Sequence, residues 1–309
     1  MKKRLFLCVL CLLLALSPAH AADGYIKWVD FDIGASAMAR ALALDIESRD
    51  SEQPVNWIDI LALAATWTGS GKFSNTTVNK AARALTADQS IEKQLGNQYK
   101  YFLYFREAYG AVLGGLAGSY AIEVTGEDGE RYWKPAYGLK AFSPIAAGYW
   151  YSHYEDFGAS RGYGFKRKHL GNDLMGALGT PIVAVEGGTE EALGWNRYGG
   201  WRIGIRSDDK KRYWYYAHLR KDNPYAEGLQ EGDHVQAGDV IGFMGRSGYS
   251  IKENVDNIKQ VHLHFGLQLI FDESQKECDN EIWVDVYDIV CLLNQHRSSV
   301  RYDAESKTW

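Results

Sequence analysis

Histidine and aspartate occur together at two places in the sequence whose spacing suits metal binding. His169 and Asp173 lie four positions apart around Gly171, so an imidazole and a carboxylate can reach one ion across a tight turn. His262 and His264 stand two apart in a strand-like run, where alternate residues share a face. Nitrogen and oxygen donors without thiolate fit Zn²⁺ better than Cu(I) or an iron–sulfur centre. A shell of three protein ligands leaves a fourth position for water, which is typical of catalytic zinc sites.

A further histidine, His218, follows a predicted strand in Tyr216-Ala217-His218-Leu219. The metalloprotease motif HExxH is absent from the sequence, so the glutamate base of that motif is not available. The run Gly245-Arg246-Ser247-Gly248 is one residue short of a G-x-S-x-G elbow, which gives a serine hydrolase little support. We predict packing or surface roles for His153, His234 and His296.

These residues lie in the C-terminal half, whose hydrophobic pattern differs from that of the N-terminal half. From about Gly34 to Val112 apolar residues recur at helical spacing, which predicts a helical domain. Beyond it, period-two alternation broken by Gly, Asp and Asn turns predicts a mainly antiparallel β domain, and the expected fold class is α+β. The predicted strands are Ile182–Val185, Trp201–Ile205, Tyr213–Ala217, Val240–Met244 and His262–Leu269.

We divide the chain into five segments. Residues 1–21 are predicted to be a signal peptide, 22–120 a helical domain of unknown role, and 121–150 a linker with a β-hairpin. Residues 151–296 form the predicted β domain, and 297–309 a tail. The helical domain could target the protein to a surface, act as a spacer, or shield the site.

The signal-peptide prediction rests on three features. Three cations precede an apolar run from Leu5 to Leu16, and Ala19 and Ala21 occupy the small-residue positions before a cleavage site. The run is shorter than the roughly 20 residues that a spanning helix needs. We therefore expect cleavage near Ala21, export, and no stable membrane insertion of the mature chain.

Composition limits the class of partner. The 309 residues include 34 Lys+Arg and 39 Asp+Glu, a net charge of −5, and loss of the three signal-peptide cations takes it to −8. An acidic chain lacks the basic footprint that nucleic-acid binding requires. The 46% hydrophobic content suffices for packed cores and excludes a disordered chain.

Two cysteines remain after the signal peptide. Cys278 and Cys291 could form one disulfide in an exported protein, or both could stay thiols. The sequence leaves both alternatives open.

From about Phe157 to Leu269 the chain resembles the M23 (LytM/lysostaphin-type) peptidases, which are zinc endopeptidases that cut peptidoglycan peptides. The motifs that carry the resemblance occur in the family's order. They are Phe157-Gly158-Ala159 with Arg161, His169-x-Gly171-x-Asp173, Gly179-Thr180-Pro181, Gly187-Gly188, Tyr198-Gly199-Gly200, Tyr216-Ala217-His218-Leu219, Gly232-Asp233-x-Val235-x-x-Gly238-Asp239-x-Ile241-Gly242, Gly245-x-Ser247-Gly248 and His262-Leu263-His264-Phe265.

The resemblance implies a role for each site residue. His169, Asp173 and His264 would bind one Zn²⁺. His262 and His218 would stay off the metal, one accepting the proton of the attacking water and the other stabilising the oxyanion, and the sequence leaves open which does which.

The implied protein is an exported bacterial zinc metalloendopeptidase of the cell envelope that hydrolyses peptidoglycan stem peptides or crossbridges. The sequence leaves its oligomeric state open, and we favour a monomer. The alternative is a non-catalytic LytM-like module that binds the cell wall or regulates a partner protein. The presence of all five site residues favours the enzyme.

Two features are expected to shape the groove around this site. The stretch from Tyr249 to Gln260 is longer and more charged than the usual family link, which predicts a rim loop. Aromatic residues also cluster nearby, and we expect half of them in the core and half in contact with the substrate. These aromatics are Trp195, Tyr198, Trp201, Tyr213, Trp214 and Tyr215.

Overall fold

The computed structural model describes residues 24–162, 166–276, 278, 280–305 and 309, and it has the predicted α+β class. The predicted signal peptide lies outside the described residues. Within the described part of the chain, no helix has both the length and the apolarity needed to cross a membrane.

Five helices form the N-terminal part. Side-chain caps set several of their starts: the Asn56 side chain accepts from the Ile58 N–H, and Ser74 and Ser90 play the same role for later helices. Gly69, in the left-handed conformation, ends the second helix. The helices are α1 (Ala35–Ser48), α2 (Trp57–Thr68), α3 (Asn75–Leu85), α4 (Ile91–Leu95) and α5 (Tyr99–Leu113).

A hairpin follows the helices, with β1 at Ala117–Thr125 and β2 at Arg131–Leu139. Its base is fixed to the helices through Asp45, a buried carboxylate on α1. The Tyr137 hydroxyl donates to Asp45 Oδ1 at 2.9 Å, and the Trp57 N–H donates to Oδ2 at 2.9 Å. The hairpin is therefore tied to α1 and α2 by one shared acceptor.

The C-terminal part is built on an antiparallel eight-stranded sheet with strand order β11-β8-β9-β10-β13-β6-β3, and β14 also pairs with β13. A short helix, α6 (Tyr287–Leu293), follows it. The predicted strands are all present within a few residues. The strands are β3 (Tyr151–His153), β4 (Ser160–Gly162), β5 (Lys166–Lys168), β6 (Asn172–Gly176), β7 (Pro181–Val183), β8 (Gly188–Asn196), β9 (Gly200–Ser207), β10 (Arg212–Ala217), β11 (His234–Val235), β12 (Val240–Phe243), β13 (His262–Leu269) and β14 (Ile282–Val284).

Alternation along β13 and β10 gives the sheet two chemically different faces. Leu263, Phe265 and Leu267 are fully buried, as are Trp214 and Tyr216 on the neighbouring strand, so this set forms the core face. The residues between them point the other way. On β13 these include both histidines of the His-x-His motif, and the second face is therefore the one that carries the candidate chemistry.

The helices join the β part on the core face. Arg212, which shares the core face with Trp214, is 1% exposed and donates to the Ala111 carbonyl of α5 at 2.7 Å. Its guanidinium also pairs with Glu186 at 2.8 and 3.0 Å, and the Trp214 indole N–H donates to the same carboxylate. A buried charge is tolerated only when paired and hydrogen-bonded, so Glu186 is central to this junction.

We expect Glu186→Ala to lower the free energy of unfolding by about 3–5 kcal/mol, because it leaves the buried Arg212 guanidinium without its main counter-charge. Urea denaturation followed by tryptophan fluorescence measures the change. Glu123→Ala, which breaks an exposed pair with Arg131, is the matched control and should cost less than about 1 kcal/mol. Equal small losses in both variants would contradict the role given to Glu186.

A third buried carboxylate, Glu190 on β8, has no ion-pair partner among the described residues. The regular register from Gly188 to Glu190 pairs Glu190 with the buried Ile205, and alternation along the strand turns its side chain inward just before the register shifts. Within the described residues neither carboxylate oxygen has a hydrogen-bond partner. Burial, with Asp233 and Glu231 adding repulsion, raises the pKa of Glu190 to about 8.

This raised pKa makes stability pH-dependent. Between the unfolded value near 4.3 and the folded value, the folded chain binds one more proton, so the unfolding free energy falls as pH rises. We expect the unfolding free energy of Glu190→Gln, taken relative to that of wild type, to rise by at least about 2 kcal/mol between pH 5 and pH 8.5. Urea midpoints at both pH values test this, with exposed Glu227→Gln as control. A gain independent of pH would contradict the assignment.

Candidate metal centre

Three side chains from two neighbouring strands converge at one end of the sheet. Asp173 on β6 pairs directly with His264 on β13, and His169 comes from the turn that precedes β6. His169 Nε2 lies 2.7 Å from His264 Nδ1 and 3.0 Å from Asp173 Oδ1, and His264 Nδ1 lies 3.5 Å from the same oxygen. The three predicted ligands therefore form one cluster that could hold a metal ion.

The cluster fits a small tetrahedral cation. Ligand atoms about 2.0–2.1 Å from such an ion lie about 3.3 Å from one another, close to the observed spacings. Asp173 Oδ1 is buried and, within the described residues, has no hydrogen-bond partner. A buried carboxylate oxygen without a donor is costly, and a bound cation would satisfy it.

Asp156 and Arg161 contact the ligand residues and fix their orientation. The His169 Nδ1–H group can donate to the Asp156 carbonyl at 3.1 Å, which directs Nε2 toward the cluster. The Arg161 guanidinium donates to Asp173 Oδ2 at 3.0 Å and contacts the Asp156 carboxylate. Asp156 Oδ1 in turn accepts from the Asp173 N–H at 3.1 Å. The sequence does not indicate this role for Asp156, because it depends on how the chain folds back between residues 156 and 173.

The electrostatics of the cluster favour positive charge. Burial alone would lower the pKa of His169, but the adjacent carboxylates of Asp156 and Asp173 raise it to about 9. Burial would raise the pKa of Asp173, yet the adjacent rings of His169, His264 and His262 hold it far below its usual range. The carboxylates thus attract a cation to this position.

His262 and His218 lie beside the cluster, with their ring centres 4.8 Å apart. In each ring Nδ1 lies 3.0 Å from a backbone carbonyl, that of Gln260 for His262 and that of Ser247 for His218. Because a carbonyl only accepts, Nδ1 must carry the hydrogen, and Nε2 of the neutral ring keeps its lone pair. His262 Nε2 lies 3.7 Å from Asp173 Oδ1.

His218 occupies an unusual backbone position. Its φ of +64° is in the left-handed region, which costs free energy for a residue other than glycine and is common at functional sites. Burial, followed by the proximity of His262 and His264, lowers the pKa of His218 well below its usual value. Burial also lowers the pKa of His264. Both rings are therefore neutral near pH 7.

Two glycines allow the close approaches that build the site. A Cβ on Gly171 would lie 2.5 Å from the Phe265 carbonyl and 2.8 Å from His264 Cε1, so the turn could not lie against the ligand ring. Gly200 has φ +66°, and a Cβ there would lie 2.4 Å from the Ser247 backbone. The glycines of the motifs are thus explained by backbone contacts at these positions.

A groove of about 500 Å³ lies over the cluster, and the described residues that line it come from between Arg161 and Trp283. Among the described residues, none of the helical part lines it. Three of the six clustered aromatics, Tyr198, Tyr213 and Tyr215, line the groove, whereas Trp214 is in the core. Tyr249, the first residue of the predicted rim loop, also lines it.

The other described histidines lie outside the cluster. His153 stacks on Tyr287, the His296 Nδ1–H group donates to the Ala141 carbonyl at 2.6 Å, and His234 pairs with Asp208 on the surface. Cys278 and Cys291 are both free thiols in this structure.

Known proteins resemble the β part of this chain. Residues 167–278 match the model of peptidase family M23. The L-Ala–D-Glu endopeptidase of Bacillus subtilis (strain 168) is 42% identical over 117 residues, which cover 38% of this chain and 34% of that protein. Lysostaphin of Staphylococcus simulans is 32% identical over 136 residues, which cover 41% of this chain and 24% of lysostaphin. The matches thus span about a third or less of these relatives.

A solved structure resembles most of the chain. The crystal structure of a candidate glycyl-glycine endopeptidase, lytM, from Ruminococcus gnavus ATCC 29149 has 25% sequence identity and a TM-score of 0.59. The alignment covers 88% of this chain and 91% of that one, so it includes helices as well as the sheet. With the family match and the His-Asp-His cluster, the β part of this chain is a member of peptidase family M23.

Proposed function

We propose that this protein is an exported zinc metalloendopeptidase that hydrolyses peptide bonds of peptidoglycan. The observation that carries the proposal is the convergence of His169, Asp173 and His264 beside two further histidines in one open groove. The names of the curated relatives support a peptidoglycan substrate, since one is an L-Ala–D-Glu endopeptidase and another is lysostaphin. The predicted signal peptide supports export to the cell envelope.

Zinc is the metal that the donor set favours. Two imidazole nitrogens and one carboxylate oxygen are borderline ligands, and three of them leave one position open. Bound there, Zn²⁺ would polarise the scissile carbonyl and lower the pKa of a water molecule toward 7. The Asp156 and Arg161 contacts behind the ligands would fix their orientation and keep Nε2 of His169 available.

The two accessory histidines are assigned the proton transfers. Hydrolysis requires that water lose a proton as its oxygen adds to the carbonyl carbon, and that the leaving nitrogen gain one as the C–N bond breaks. We assign proton acceptance to His262, because its Nε2 lone pair lies nearest the ligand cluster, 3.7 Å from Asp173 Oδ1. The protonated ring can then return this proton to the leaving amine.

His218 is assigned to the developing oxyanion. The negative charge that forms there offsets the burial that keeps the ring neutral, so Nε2 takes up a proton from solvent and donates it in a hydrogen bond to the oxyanion. Its ring is fixed by the hydrogen bond to the Ser247 carbonyl and faces the same space as His262. A non-catalytic wall-binding module would not need both rings held in this way, and the complete set of five side chains favours the enzyme.

The metal assignment predicts a stoichiometry. We expect the purified protein to bind about one zinc ion per chain, and Asp173→Ala or His264→Ala to lose it after dialysis, because two ligands cannot hold the ion against buffer. Mass spectrometry of the metal content measures this. His234→Ala, which removes a surface histidine, is the control and should keep full zinc. Full occupancy in the ligand variants would contradict the site.

The proton-transfer assignment predicts a separation of binding from activity. We expect His262→Ala to retain zinc while hydrolysis of purified peptidoglycan falls by at least about 100-fold, the usual contribution of a general base. Release of soluble peptides and metal content are measured on the same sample. A variant that hydrolyses at the wild-type rate, or that loses its metal, would contradict the role given to His262.

A further inference from the structure

We propose that Arg167 and Arg202 form a carboxylate-binding subsite in the groove, so that the enzyme selects peptides with a free carboxylate next to the scissile bond. This inference rests on the proposed function and names the substrate class of the same site. The chemistry would suit an acidic stem peptide, in which a glutamyl residue linked through its side chain keeps a free α-carboxylate. A neutral glycine bridge would offer no such group.

Arg202 lies in line with two of the ligands when the cross-strand pairs of neighbouring strands are followed. The β9–β10 register pairs Ile203 with Tyr216, so the next position places Arg202 beside Ala217. Ala217 pairs with His264, which pairs with Asp173. Because neighbouring strands are about 4.8 Å apart, the backbone of Arg202 is about 10 Å from that of His264.

This separation places Arg202 close to the ligands. An extended peptide advances about 3.4 Å per residue, so about 10 Å corresponds to about three residues between the two backbones. The Arg202 side chain lines the same groove as His264 and Asp173. Its guanidinium can therefore meet a residue near the scissile bond.

Both arginines have donors without acceptors. Arg202 Nε and Arg167 Nη1 are buried, and within the described residues neither atom has a hydrogen-bond partner. Among the described residues neither guanidinium forms an ion pair, whereas Arg161, Arg206 and Arg212 all do. Buried donors left unpaired cost free energy, which a substrate carboxylate would recover.

Arg167 is held rigidly despite lacking a counter-charge. Its guanidinium stacks 4.6 Å from the Tyr198 ring centre and 5.2 Å from that of Tyr249, and Nη2 donates to the Tyr249 hydroxyl at 3.0 Å. Burial raises the pKa of the Tyr215 hydroxyl, and the positive charges of Arg202 and Arg167 each counteract that rise. The two guanidiniums therefore approach one point of the groove.

Two other cations of the groove are already paired. Arg161 contacts Asp156 and Asp173 in the metal centre, and the Lys276 ammonium lies 2.6 Å from Glu191. Among the described lining residues, the one acid outside the metal centre is Glu281, which accepts from the Trp283 indole. With the exposed Lys168, the groove carries an excess of positive charge on a chain whose net charge is −5. An anionic peptide complements this excess.

The test uses two synthetic peptides that differ in one group. Both contain an L-alanyl bond to a side-chain-linked D-glutamyl residue, and in the second the free carboxylate is an amide. For wild type we expect kcat/KM at least about tenfold higher for the acid, the usual effect of a hydrogen bond to a charged group. Arg202→Gln and Arg167→Gln should bring the ratio toward one, mainly through KM, and Arg202→Lys should restore part of it.

Lys221→Gln, which removes an exposed cation outside the groove, is the control and should keep the wild-type ratio. Hydrolysis of purified peptidoglycan is measured in parallel, and its absence would overturn the proposed function itself. If peptidoglycan is cut but the two peptides are hydrolysed equally, or neither is, the subsite is wrong while the function stands. Equal loss on both peptides in the arginine variants, with zinc retained, would also overturn the subsite.

Discussion

The pairing of Asp173 with His264 across β6 and β13 is the contact on which the rest of the site depends. It brings a carboxylate and an imidazole from opposite ends of the domain's sequence side by side, and the turn before β6 then delivers His169 to the same point. A shift of one residue in this register would turn His264 to the core face and Leu263 outward. The apolar packing of Leu263 and Phe265 therefore also fixes the position of the ligands.

The same alternation gives the two faces of the sheet different roles. The core face buries its apolar residues and, through Arg212 and Glu186, binds the helical part. The other face carries the ligands, the accessory histidines and the two groove arginines. Among the described residues, the helices attach at the core face and none of them lines the groove.

Much of the fold and of the metal cluster could be predicted from sequence, because local periodicity and motif spacing encode them. The His-x-His alternation predicted a shared face, and His169-x-Gly171-x-Asp173 predicted a turn that brings two ligands together. The contacts of Asp156 could not be predicted, since they depend on how the chain folds back between residues 156 and 173. The lack of a partner for Arg202 Nε among the described residues depends on side-chain packing. The inward position of Glu190 follows strand alternation, but a carboxylate without a partner among the described residues is not indicated by that pattern. The segment boundaries of the chain stay predictions.

The central claim is that one zinc ion is held by three particular atoms while two histidines stay free for proton transfer. A crystal structure of the zinc-loaded protein, with anomalous data collected at the zinc absorption edge, tests it most directly. The account predicts one peak bonded to His169 Nε2, a carboxylate oxygen of Asp173 and His264 Nδ1, with His218 and His262 unbonded. A peak bonded to His218 or His262, or no peak at this cluster, would contradict it.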